Sequence, residues 1–168
     1  MKTKLPPKPQ EVHGPLGWRA LLQWLREDGV ISPEVADRTA ARMASAESAQ
    51  HPIQRLSLLG VPRQSDGKLL DADDLTQWLA ARTGLAYVRI DPLKVDVAKV
   101  ADVMSAAYAE RHRVLPVQVG PSEVVVATAE PFVRDWVPEV ERQARRSVRL
   151  ALADPQEITR YTAEFFAL

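Results

Sequence analysis

The side chains able to do chemistry are few and scattered. The three histidines, His13, His51 and His112, lie far apart in loop-like stretches. None forms a His-x3-His or carboxylate–histidine group with metal-ligand spacing. Cysteine is absent, which excludes thiolate metal sites, disulfide scaffolds and thiol nucleophiles. The serines, among them Ser32, Ser65, Ser105 and Ser122, stand outside any Gly-x-Ser-x-Gly setting. Neither Gly-x4-Gly-Lys-Ser/Thr nor Gly-x-Gly-x-x-Gly occurs, and the seven glycines are scattered singly. A backbone cradle for phosphates therefore cannot be built from local sequence. No local motif supports catalysis.

Three charged clusters and the tryptophans remain. Asp71, Asp73 and Asp74 could suggest a cation site, but they stand where a helix begins, and capping with dipole complementarity explains them. Arg142, Arg145, Arg146 and Arg149 form a basic run between a helix and a strand. Such a run reads as a solvated helix end or as a contact with an acidic partner or a phosphate. Arg111-His112-Arg113 has the same two readings. Trp18, Trp78 and Trp136 fall on apolar stripes, whereas Trp24 lies on the flank of its helix. With Arg19, Arg26 and Glu27 it forms a candidate partner contact, because an aromatic among long charged side chains suits an interface.

The chain must position these residues with a balanced composition. It has 168 residues, 22 basic and 22 acidic. That neutrality removes a global electrostatic argument for nucleic acid or an anionic membrane. No apolar run reaches the length of a bilayer span, and no apolar segment follows the first lysines as in a secretory signal. The expectation is a soluble cytoplasmic protein.

Residues 1–15, rich in Pro and Lys, read as a flexible tail. Trp18, Leu21, Leu22 and Leu25 share a helical face, and Gly29 offers a left-handed cap. Ser32-Pro33-Glu34 starts a second helix, Ile53–Leu59 a third, and Asp71 with Asp74 a fourth. Ala86–Ile90 is short and β-rich. Val97, Val100, Ala101, Met104 and Tyr108 have continuous helical spacing. Val114–Val119 and Val124–Thr128 read as a hairpin through Gly120-Pro121-Ser122. The second of these strands is apolar on both faces, as in a strand covered on both sides. A helix from about Asp135, a strand at Val148–Leu152 and a helix opened by Asp154-Pro155-Gln156-Glu157 follow. The pattern carries that helix to Leu168, which reads as a domain cut from a longer protein. The fold class expected is α+β. A helical subdomain spans 16–84, and a small α/β subdomain spans 85–168 with a three- to four-stranded, mostly antiparallel sheet.

Several segments resemble a known family. They are Asp74-Leu75-x-x-Trp78-Leu79-Ala80-x-Arg82-Thr83-Gly84-Leu85-Ala86-Tyr87-Val88-x-Ile90-Asp91-Pro92-Leu93, then Ala109-x-Arg111-His112-Arg113-Val114-Leu115-Pro116-Val117, then Val126-Ala127-Thr128-Ala129-Glu130-Pro131, and finally Asp154-Pro155-x-Glu157-Ile158. Their order is similar to that in the N-terminal domain of type II secretion and type IV pilus assembly ATPases, of the MshEN type. The resemblance implies a non-catalytic adaptor that docks a hexameric motor on the cytoplasmic domain of an inner-membrane platform. It implies no cofactor in this chain, since ATP and Mg would belong to a C-terminal motor domain that is also a partner. Neither nucleic acid nor membrane insertion is implied. Some members bind cyclic di-GMP through two helical copies of an Arg-Leu-Gly…Gly…Gln pattern. Here Ala20-Leu21-Leu22 stands nine residues before Gly29, and His51-Pro52-Ile53 nine before Gly60. The stacking arginines and close-approach glycines are absent from matched positions, so cyclic di-GMP is not expected to bind; the alternative reading is a domain that senses it through a degenerate form of this helical motif.

Overall fold

The structure, a computed structural model, describes residues 13–167. The tail expected over 1–15 lies almost wholly outside the described residues. The described residues divide into two compact units, one of residues 15–75 and one of residues 76–167 with His13 and Gly14.

In the first unit, α1 (Trp18–Glu27) buries Leu21, Leu22 and Leu25. Its chain reverses at Gly29, whose φ of +71° is open to glycine without strain, and the Val30 N–H returns to the Leu25 carbonyl. The second helix, α2 (Pro33–Ala44), opens on Ser32, whose Oγ accepts from the Val35 N–H at 3.1 Å. A third, α3 (Pro52–Leu59), opens on His51, whose Nδ1 accepts from the Ile53 N–H. Both α2 and α3 pack on α1. Two arginines tie α2 and α3 together end to end. The Arg42 guanidinium donates to the Leu59 carbonyl, and that of Arg55 to the carbonyls of Met43 and Ala46. Each arginine thus serves carbonyls left orphaned at the end of the other's helix. The loop after α3 returns through an isolated antiparallel bridge, Pro62 to Leu69.

Helix α4 (Ala72–Thr83) starts at the expected place. Asp71 Oδ1 accepts from the Asp74 N–H at 2.7 Å, and Asp74 Oδ2 accepts from the Asp71 N–H at 3.1 Å. This is a reciprocal capping box. Among the described residues no cluster of His, Asp and Glu could hold a metal ion.

The second unit is built on a four-stranded sheet in the order β1-β4-β3-β2. Its strands are β1 (Ala86–Tyr87), β2 (Val114–Val119), β3 (Glu123–Thr128) and β4 (Ser147–Leu152). The sheet is mixed, which corrects the expectation of a mostly antiparallel one. Only β2 and β3 run antiparallel, while β4 is parallel to both β3 and β1. The reason is the crossover: α7 (Val137–Ala144) lies between β3 and β4 and brings the chain back to the starting edge.

The helical spacing from Val97 to Tyr108 is also interrupted. It divides into α5 (Val97–Val103) and α6 (Ala106–His112). Met104 is extended, and the Ser105 hydroxyl caps the second piece by accepting from the Tyr108 N–H. The last helix, α8 (Pro155–Phe165), opens on Asp154 and closes at Phe165, earlier than the sequence pattern carried it.

Apolar side chains cover both faces of β3, as its composition required. Val124 and Val126 join Val103, Tyr108, Trp136, Val140 and Leu150 in one core. Ala127 joins Leu115, Ile158 and Phe165 in another. The alternation of a strand sends neighbours to opposite faces, so one strand feeds two cores.

Candidate docking surface

The residues singled out on α1 follow its 100° steps. Leu21, Leu22 and Leu25 take the buried face. Trp18, placed by its spacing on that stripe, is only half-buried, and the Arg19 guanidinium stacks over its ring at 4.2 Å. Trp24 is half-buried on one flank. Arg26 lies on the other flank and reaches Asp37 of α2 at 3.7 Å. Glu27 is exposed and accepts from the Gln23 side-chain amide one turn earlier. Arg26 and Trp24 thus stand on opposite sides of the helix. Trp24 and Glu27 share its outer flank, while Arg19 and Arg26 lie toward the α2 side.

The four arginines of the basic run separate in space. Arg142 is exposed in the last turn of α7, where a cation complements the dipole. Arg145 is exposed and caps that helix with a left-handed backbone, φ +53°. Arg146 is half-buried: its Nε donates to the Gly120 carbonyl at 2.7 Å and its Nη1 to the Ala144 carbonyl at 2.9 Å. Arg149, on β4, faces Glu123 of β3 at 3.5 Å. Of the run, only Arg146 has its charge fixed by neighbours on two other elements.

Among the histidines, His51 is a helix cap, His13 is exposed, and His112 stacks against Tyr108 with ring centroids 4.2 Å apart. Arg111 also lies near the Tyr108 ring. The Tyr108 hydroxyl is 3.4 Å from both the Trp136 carbonyl and a Glu139 carboxylate oxygen. Burial first, and the Glu139 charge second, raise its pKa above the ordinary tyrosine value.

Sequence reasoning missed one surface feature of the first unit. Leu58 and Leu69 are exposed by 68% and 63% of their surface. The Leu69 side chain lies beside Gly60, close enough to make ordinary contact with a Cβ placed there. The signal was present. Ile53 and Leu56 make the inward stripe of α3, and Leu58 falls off it. Leu70 is buried, so the adjacent Leu69 must point outward along an extended segment.

Residues 83–168 match the MshEN domain family. The chain is 35% identical over 150 residues to the type IV pilus assembly ATPase TfpB of Acinetobacter baylyi, covering 86% of this chain and 25% of the relative. It therefore spans about a quarter of the length of that curated relative. Two solved structures share the fold. One, of MshE with cdg, has a TM-score of 0.58 at 14% identity, covering 86% of this chain and 97% of that one. The other, the N-terminal domain of XpsE, has a TM-score of 0.54 at 16% identity, with 99% of both chains covered. These findings bear out the family resemblance and the α+β class read from the sequence. Among the described residues, no helix is long and apolar enough to cross a membrane.

Proposed function

Because this chain belongs to the MshEN domain family, we propose that it is the non-catalytic docking domain of a type II secretion or type IV pilus assembly ATPase. It links the hexameric motor to the cytoplasmic domain of an inner-membrane platform protein. The observation that carries this reading is the match to a quarter of a pilus assembly ATPase. A domain of that share, without a Gly-x4-Gly-Lys-Ser/Thr loop, adds an attachment to a motor and does not form its ATP site. ATP and Mg belong to the motor domain, and the chain works on the cytoplasmic side, held at the membrane through its partners. The outer flank of α1, with Trp24 and Glu27, supports a contact of this kind. Arg19 and Arg26, on the opposite flank toward α2 and engaged with Trp18 and Asp37, lie outside this contact.

The test is an affinity measurement between the purified chain and the platform's cytoplasmic domain. Binding that weakens on Trp24→Ala, with no ATP turnover by the chain, is the expected result. ATP hydrolysis abolished by a point substitution within this chain would overturn the reading.

A second reading, that the helical unit senses cyclic di-GMP, draws on two observations. The structural neighbour MshE was solved with cdg. Gly29 and Gly60 both follow a helix with left-handed backbones, φ +71° and +74°, and both precede a valine. Against it, Arg55 is engaged with the α2 carbonyls and Arg19 with Trp18. Calorimetry separates the two readings. The docking reading expects nothing tighter than roughly high-micromolar binding, and a submicromolar constant lost on Arg55→Ala would favour the sensor.

A further inference from the structure

A pocket of about 400 Å³ opens in the second unit. It forms where α5, the β2–β3 turn and the end of α7 meet. Its polar lining is Lys99, Asp102, Gln143 and Arg146, and its apolar lining includes Val119 and Pro121. That volume is within the range of small-molecule sites.

Arg146 is held rigid here. Two of its three guanidinium nitrogens donate to the carbonyls of Gly120 and Ala144. The third makes no hydrogen bond among the described residues. A guanidinium fixed in this way loses little freedom when it takes a ligand. The side chains of Lys99, Asp102 and Gln143 also make no hydrogen bond or ion pair among the described residues. Four polar groups, from α5, α7 and the turn after α7, therefore line one pocket, and one of them is already oriented.

We propose that this pocket binds the phosphoryl group of a small phosphorylated molecule, with Arg146 and Lys99 on its charge and Asp102 accepting a hydrogen bond from a hydroxyl. Two cations against one carboxylate favour an anion. The carboxylate then selects among anions, because it repels an oxyanion that carries no proton and accepts from one that does. The pocket exceeds a lone phosphate ion, and Val119, Pro121 and Gln143 leave room for the rest of a phosphomonoester.

The experiment is an NMR titration of the whole chain with inorganic phosphate, sulfate and ribose 5-phosphate near pH 5, below the second pKa of about 6 of a phosphomonoester, where both phosphate compounds carry a proton. Phosphate should shift the amides around Gly120 and Ala144 and bind more tightly than sulfate, an oxyanion of the same shape without a proton. Asp102→Asn should remove that preference. Lys99→Gln should weaken binding about fivefold or more, while Lys94→Gln, outside the pocket, leaves it unchanged. Tighter binding of ribose 5-phosphate identifies a phosphomonoester as the ligand; equal binding identifies free phosphate. The proposal is overturned if neither phosphate compound binds, if Lys99→Gln and Lys94→Gln behave alike, or if sulfate competes equally with phosphate. None of these results bears on the docking role of α1.

Discussion

Leu22 and Trp24 are two positions apart on α1, and they should fail in opposite ways. Leu22 is 4% exposed within the buried face. Leu22→Ala removes three carbons, about 2.4 kcal/mol of transfer free energy, and leaves a partly unrelaxed cavity. The total should fall at about 3 kcal/mol, within the range for such truncations. A unit as short as Pro15–Leu75 has only about 3–9 kcal/mol of stability. Leu22→Ala should therefore melt that unit at a visibly lower temperature. Trp24 is half-buried, 100° around the helix from Leu25. Trp24→Ala should cost about 1 kcal/mol of stability, yet weaken docking to the platform's cytoplasmic domain by about 1–3 kcal/mol. Thermal melts and binding isotherms on both variants check this. If Trp24→Ala unfolds the unit and the folded remainder binds as before, Trp24 belongs to the core and the surface assignment is wrong.

Three further outcomes are expected. Arg145→Gly should raise stability by about 1 kcal/mol in urea titrations, since glycine adopts the left-handed cap at φ +53° without the Cβ clash. Ser32→Ala should cost about 1 kcal/mol by removing the acceptor of the Val35 N–H, and Ser32→Asp should restore most of it. Tyr108, with its pKa raised in the folded state, holds its proton there more strongly than in the unfolded chain. Its contribution is complete below the unfolded tyrosine value and is lost as pH rises through the folded one. Tyr108→Phe should therefore flatten the alkaline end of a stability–pH profile, and an unchanged slope above about pH 10 would contradict the assignment.

Much of the architecture was legible because its causes are local. Ser32, Asp71 and Asp154 announce helices through bonds to N–H groups two or three residues away, and such bonds depend on nothing distant. The double-sided β3 was legible from its own composition. The break at Met104 was not, because apolar periodicity is blind to an extended residue that keeps its place in the stripe. At the candidate sites, the sequence presented Arg142, Arg145, Arg146 and Arg149 as one basic run. Their division among a helix end, a pocket and a cross-strand pair depended on the Gly120 carbonyl, 26 residues from Arg146, and on a neighbouring strand.

What the sequence by itself determined is therefore most of the elements, most of their starts and the inward face of α1, which rest on periodicity, capping and turn chemistry within a few residues. The resemblance to the family rested instead on the order of several short motifs along the chain. Only the tertiary structure decided that β4 inserts between β3 and the two-residue β1 to make a mixed sheet. It also decided that Arg42 and Arg55 serve each other's helix ends, and that Lys99, Asp102, Gln143 and Arg146 share a pocket. Each of these closes a long loop, and the burial that favours it is summed over the whole core, so no window of neighbouring residues carries the information.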